Sequence, residues 1–86
     1  MTELKPSKSA RKREYIALQR LGEELLTVKE PDLLRMQLDE ELLDAVLEAR
    51  RIKAHGALRR QKQYIGKLMR NIDPEPIRAA LAQLRR

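Results

Sequence analysis

Leu18, Leu21, Leu25 and Val28 recur at spacings of three and four, with Ala17 and Leu26 beside them. That period draws one apolar stripe along a helix, and a hydroxyl at Ser7 or Ser9 suits its N-terminal cap. The spacing predicts a first helix over residues 10–28. Glu30-Pro31-Asp32 then breaks the pattern, because proline disfavours the helical conformation in the residue before it and cannot donate to the helical ladder. Leu33, Leu34, Met36 and Leu38 follow as a short apolar connector, about one helical turn, that covers the end of the core.

Asp39 can cap the next helix, with Glu40 and Glu41 placed where the helix dipole favours negative charge. Leu42, Leu43, Val46, Leu47, Ala49 and Ile52 mark a broad apolar face. A second stripe, Ala54, Leu58, Ile65, Leu68, Met69 and Ile72, is rotated from the first, and the rotation falls near His55-Gly56, where glycine weakens a helix. The pattern leaves open whether residues 39–71 are one helix bent at 55–56 or two. In Asn71-Ile72-Asp73-Pro74-Glu75-Pro76, Asp73 can cap and Pro74 suits the first helical position. A last helix over 74–86 follows, with Ile77, Leu81 and Leu84 as its stripe. No stop signal precedes Arg86, which leaves open that these helices belong to a longer helical protein.

Composition agrees. The chain has 86 residues, no Phe, no Trp and two Tyr, while helix formers dominate, so there is little from which to build strands. The expected fold is all-α: a small antiparallel bundle of three to four helices, with residues 1–8 a flexible basic segment and 9–86 a single domain. Without cysteine there is no disulfide, thiolate metal site or thiol nucleophile. The start lacks the apolar run of a signal peptide, and no stretch approaches the roughly 18 apolar residues of a membrane span. A cytoplasmic protein is expected.

The net charge of +6 conceals blocks. Residues 5–13 hold five bases and no acid, and residues 14–48 hold ten acids against three bases. From Arg50 to Arg70 there are eight bases and no acid. Single-sign stretches of this density point to an anionic partner, most often nucleic-acid phosphates; the acidic stretch reads more simply as solvated helix surface.

Catalytic chemistry is poorly represented. His55 is the only histidine, and it is read as a surface or groove residue because Thr2, Ser7, Ser9 and Thr27 all lie far from it in sequence. Glu23/Glu24 and Glu40/Glu41 splay about 100° apart on a helix and share no site. Ile65-Gly66-Lys67 lacks the upstream glycine and following hydroxyl of a phosphate loop. No catalytic residue, metal ligand, cofactor or small-molecule substrate is expected.

The basic block has the means to hold phosphate. On a helical wheel Arg59, Gln63, Gly66 and Arg70 align opposite Ile65 and Leu68, with Arg60, Lys62 and Lys67 flanking. Gly66 either lets a sugar-phosphate backbone approach or accommodates a crossing helix. Tyr64 and Tyr15 read as half-buried core edges, with stacking on an unpaired base as the alternative. The expected RNA-binding set is Arg59, Arg60, Lys62, Gln63, Lys67 and Arg70, aided by Lys8, Arg11, Lys12 and Arg13.

Arg51-Ile52-Lys53, Arg59-Arg60-Gln61, and Tyr64-Ile65-Gly66-Lys67-Leu68-Met69-Arg70 followed by Asp73, Glu75, Pro76 and Ile77 resemble the bacterial DarP family, also called YjgA. Ser7-Lys8-Ser9 with its basic helix, and then Leu21-Gly22, is similar too, so the resemblance covers nearly the whole chain from about Ser7. It implies an all-helical protein without catalytic residues that joins the large (50S) ribosomal subunit late in assembly. It further implies contact with 23S rRNA on the face that will meet the small subunit, and promotion of peptidyl transferase centre maturation. Family members are typically about twice this length, so the resemblance is to their N-terminal half. The expected function is therefore ribosome biogenesis, with 23S rRNA in the large subunit or its precursor as partner and no membrane. The alternative is a helical protein-interaction or dimerisation module with an acidic protein partner.

Overall fold

The computed structural model describes the backbone of residues 8–85 and the side chains of residues 11–85. Its helices are α1 (Lys8–Glu24), α2 (Glu30–Arg35), α3 (Glu40–Arg51), α4 (His55–Met69) and α5 (Glu75–Leu84), with a 3-10 turn at Leu25–Thr27. There is no strand among the described residues, and the protein is an all-α bundle. Among the described residues five helices stand where three to four were expected.

The additions have local causes. Pro31 separates α2 from α1, but it also sits in the first turn of α2, where a missing amide costs nothing. The segment 39–71 is two helices, and they part at Ile52–Ala54 rather than at His55-Gly56. Ile52 (φ −77°, ψ 128°) and Ala54 (φ −77°, ψ 131°) are extended, and Gly56 lies inside the first turn of α4. Arg50, in the last turn of α3, donates from its guanidinium to the carbonyl of Val28. That bond fastens the end of α3 beside the 3-10 turn, and the chain reverses immediately afterwards.

The end of α1 differs in the same way. Its α-helical ladder stops at Glu24, four residues before Val28. The chain then tightens, with Thr27 Oγ1 donating to the Glu24 carbonyl at 2.7 Å and the Val28 amide to Leu25 at 3.2 Å. Leu25 and Val28 remain buried, so the apolar period foretells burial there without foretelling the hydrogen bonding. Of the candidate caps for α1, Ser9 lies within the helix and Ser7 lies outside the described residues. Asp39 holds the N-cap position of α3, but through its carbonyl, which accepts from the Leu43 amide at 2.8 Å; its side chain makes no capping bond. The last helix departs from expectation by one residue: Pro74 is the N-cap and Glu75 the first helical residue. Asp73 thus stands just outside the cap, where its Oδ1 accepts from the Glu75 amide at 3.1 Å, and the Pro74 carbonyl accepts from the Arg78 amide at 3.0 Å.

Leu25, Leu33, Leu42, Val46, Ile65 and Met69 are completely enclosed. Burying a side chain of this size contributes about 1.5–3 kcal/mol, which makes these six the centre of a small core. Leu21, Ala45, Ala49, Ile77 and Leu81 close around them.

The contacts between helices fix their directions. Tyr15 meets Arg70, Gln19 meets Gly66, and Glu23 meets Lys62. Each step forward on α1 is a step back on α4, so the two run antiparallel. Gln61 donates to the Ala45 carbonyl at 2.9 Å and Tyr64 to Glu41 at 2.8 Å, which sets α3 antiparallel to α4 by the same reasoning.

Candidate nucleic-acid interface

Helix α4 divides into two sides according to burial. Ile65, Gly66 and Met69 are buried and Leu58, Gln61, Lys62 and Leu68 half-buried, while Arg59, Arg60, Gln63, Lys67 and Arg70 are exposed. A period of 3.6 puts those five on one continuous sector. Arg59, Arg60 and Lys67 form no ion pair among the described residues. Their charges are directed at solvent.

Three members of the basic block are engaged within the protein. Lys62 is half-buried and its Nζ lies 3.9 Å from Glu23 Oε1. Arg50 holds the Val28 carbonyl. Arg70 places its guanidinium carbon 4.6 Å from the centroid of the Tyr15 ring, a stacked cation that still faces water. Gln61 is likewise committed to the backbone of α3.

The wheel is wrong about Gly66. It belongs to the buried side, facing α1, where a β-carbon would stand 3.1–3.2 Å from Gln19 Oε1, Cβ and Cγ. Of its two readings, accommodation of a crossing helix is the one the packing fits. Gly22 repeats this on α1, where a β-carbon would stand 2.6 Å from Ile65 Cγ2. These two glycines let α1 and α4 approach closely, and neither is open to a phosphate.

Helix α1 brings the second basic block to the same region. Arg11, Lys12 and Arg13 are exposed; Lys8 opens the helix, and its side chain lies outside the described residues. Along the α1–α4 seam runs a groove of about 520 Å³ between Gln19, Glu23, His55, Leu58, Arg59, Lys62 and Gln63. Gln19 also borders a hollow of about 160 Å³ lined by Lys12, Tyr15, Ile16, Gly66 and Arg70. The structure thus draws Lys12, Arg59, Lys62, Gln63 and Arg70 to one seam; Arg60 and Lys67 stand on the solvent side of α4. His55 is exposed in that groove.

Tyr15 is the residue that sequence reasoning undervalued. It is 44% exposed and stacked, whereas Tyr64 is tied by its hydroxyl to Glu41. That bond raises the Tyr64 pKa above the ordinary phenol value, with desolvation and the Glu41 charge acting in the same direction. No spacing signal pairs residues as far apart as Tyr15 and Arg70.

Acids gather elsewhere. Glu40, Asp44 and Glu48 are exposed along α3, and the Glu41–Tyr64 bond marks where that surface meets α4. No group of three or more His, Asp or Glu capable of holding a metal occurs among the described residues. No described helix is long and apolar enough to cross a membrane.

Residues 4–86 match the family described as Dual-action ribosomal maturation protein DarP. The chain belongs to this family. A DarP from Chromobacterium violaceum is 60% identical over 79 residues, covering 92% of this chain and 44% of the relative. DarP proteins from Aromatoleum aromaticum and Vibrio vulnificus are each 56% identical, over 91% and 92% of this chain and 41% and 42% of their own lengths. The chain therefore spans less than half the length of these curated relatives. Within the DarP match lie all five helices and both basic blocks.

Proposed function

We propose that this chain is an RNA-binding part of a maturation factor for the large ribosomal subunit, and that it grips 23S rRNA by its phosphates. The observation that carries this reading is the solvent-facing sector of α4, where Arg59, Arg60, Lys67 and Arg70 stand exposed beside Gln63 with no acid among them. Lys12 extends the cationic seam from α1, and Arg11 and Arg13 add charge on the same helix; Lys8 is assigned with them from the sequence. Family membership supplies the context, since the relatives carry ribosomal maturation in their name.

Guanidinium and ammonium groups on a rigid helix recognise where phosphates lie more than which bases they connect. Folded rRNA presents such a pattern. Binding the mature fold more tightly than its precursors shifts the population toward that fold, and this is how a protein without catalytic groups promotes late assembly and maturation of the peptidyl transferase centre. Lys62 contributes less than its neighbours because Glu23 already offsets its charge.

The test is binding to large-subunit rRNA fragments over a range of salt. The expected result is a log–log slope of about −0.7 to −0.9 per phosphate neutralised, with a shallower slope after Arg59, Arg60 and Lys67 are replaced by alanine. Salt-insensitive binding, or an unchanged slope in that triple variant, overturns the reading.

A further inference from the structure

We infer that the hollow between α1 and α4 lined by Lys12, Tyr15, Ile16 and Arg70 takes an unpaired nucleobase, as a third layer on the stack that Tyr15 and Arg70 already form. The inference rests on the RNA-binding reading above and adds to it a preference for an extruded or single-stranded nucleotide.

The chain has two phenol rings and one imidazole, His55; His55 lines the longer groove and not this hollow, which leaves Tyr15 and Tyr64 to compare as platforms. Tyr64 is held by Glu41 at the edge of the acid-bearing helix α3, an unfavourable approach for a phosphate-linked base. Tyr15 lies among cations: Lys12 lines the same hollow, and the Arg70 guanidinium stands 4.6 Å from the ring centroid. Tyr15 and Ile16 are 44% and 42% exposed, a large outlay of apolar surface beside two charged groups. Nucleobases stack on aromatic rings and on guanidinium planes alike.

The surroundings suit the rest of a nucleotide. Lys12 and Arg70 supply positive charge beside the hollow for the phosphates that flank a stacked base, and Gln19 lines both the hollow and the longer groove that Arg59 and Lys62 border. Gln19 donates its amide to Glu23 at 3.2 Å, which leaves its Oε1 on the Gly66 side as an acceptor for a base edge. Gly66, buried against Gln19, forms part of the wall of the hollow.

The experiment compares three fluorescently labelled RNAs of equal length by anisotropy at one salt concentration: a single strand, the same strand made abasic at every position, and a duplex. The unsubstituted 86-residue chain should bind the base-bearing strand about five- to a hundredfold more tightly than the abasic strand. That ratio should fall to near one in Tyr15→Ala and survive in Tyr15→Phe, which keeps a ring. Because the readout is a ratio, any loss of phosphate contact through Arg70 cancels. A ratio near one in the unsubstituted chain, or a ratio that Tyr15→Ala leaves intact, overturns the inference while duplex and abasic binding keep the phosphate reading alive. If none of the three RNAs binds, both readings fall together.

Discussion

Gly22 on α1 faces Ile65 on α4 so closely that a β-carbon at position 22 would stand 2.6 Å from Ile65 Cγ2 and 3.1 Å from Met69 Cγ. Both neighbours are completely enclosed, so neither has room to withdraw. Gly22→Ala should lower stability by about 1–2 kcal/mol, overpacking outweighing the gain in helix propensity. Gly66→Ala meets only the half-buried Gln19 and should change stability by less than about 1 kcal/mol. Gly56→Ala meets nothing within 4 Å and should be neutral to slightly stabilising. Thermal unfolding of the three variants checks the order, with each 1 kcal/mol read as roughly 4–8 °C.

Gln37, between α2 and α3, has φ 55°. The left-handed region costs an L-residue about 1–2 kcal/mol, whereas glycine enters it freely and loses roughly 0.5–1 kcal/mol of chain entropy. Gln37→Gly should therefore stabilise the protein by about 0.5–1 kcal/mol, read as a rise in the urea midpoint at unchanged slope.

Much of this fold is legible in the sequence because burial follows a local period. Leu21, Leu25, Val28, Leu42, Val46, Ala49, Ile65, Met69, Ile77 and Leu81 all lie on stripes that spacing reveals, and all are buried. The break between α3 and α4 is legible only as a rotation of the apolar stripe near His55-Gly56; its position is not, for Ile52-Lys53-Ala54 contains neither glycine nor proline. The Arg50 bond to Val28, 22 residues away, holds the end of α3 beside the 3-10 turn. The exposed sector of α4 follows from the wheel except at Gly66, since a wheel cannot say which neighbour arrives at its edge. Arg70 over Tyr15 and Gln61 on Ala45 are likewise products of packing, invisible to composition or period.

Tyr64 gives a pH-dependent signature. Its pKa is raised above 10.0 first by the hydrogen bond to Glu41, then by desolvation and the carboxylate charge. A raised folded-state value means that this contribution to stability is fully present below the unfolded phenol pKa and is lost as pH climbs through the folded one. In Tyr15→Phe, where Tyr64 is the remaining phenol, ultraviolet titration should show ionisation later than for a free tyrosine. Adding Glu41→Ala should bring it back toward the ordinary range. An unshifted titration in the single variant would mean that the Tyr64–Glu41 bond does not persist in solution.

Lys62 and Lys67 offer an internal comparison for the RNA reading. Lys67 is exposed and forms no ion pair among the described residues, whereas Lys62 is half-buried beside Glu23. Lys67→Ala should reduce the salt slope of rRNA binding by about 0.7–0.9, the share of one phosphate. Lys62→Ala should reduce it by less, because Glu23 already neutralises that ammonium. Equal reductions would show that the Glu23 contact opens when RNA binds.

The separation of exposed carboxylates on α3 from exposed cations on α4 gives the protein an electric dipole moment in addition to its net charge of +6. In the field of a polyanion the net charge draws the molecule in and the dipole exerts a torque on it, so it rotates during approach with α3 trailing. Orientation is thus settled over a distance of about one Debye length, roughly 8 Å at physiological ionic strength. In the proposed complex the acid-rich helix touches no phosphate and serves as the vane that turns α4 to the front.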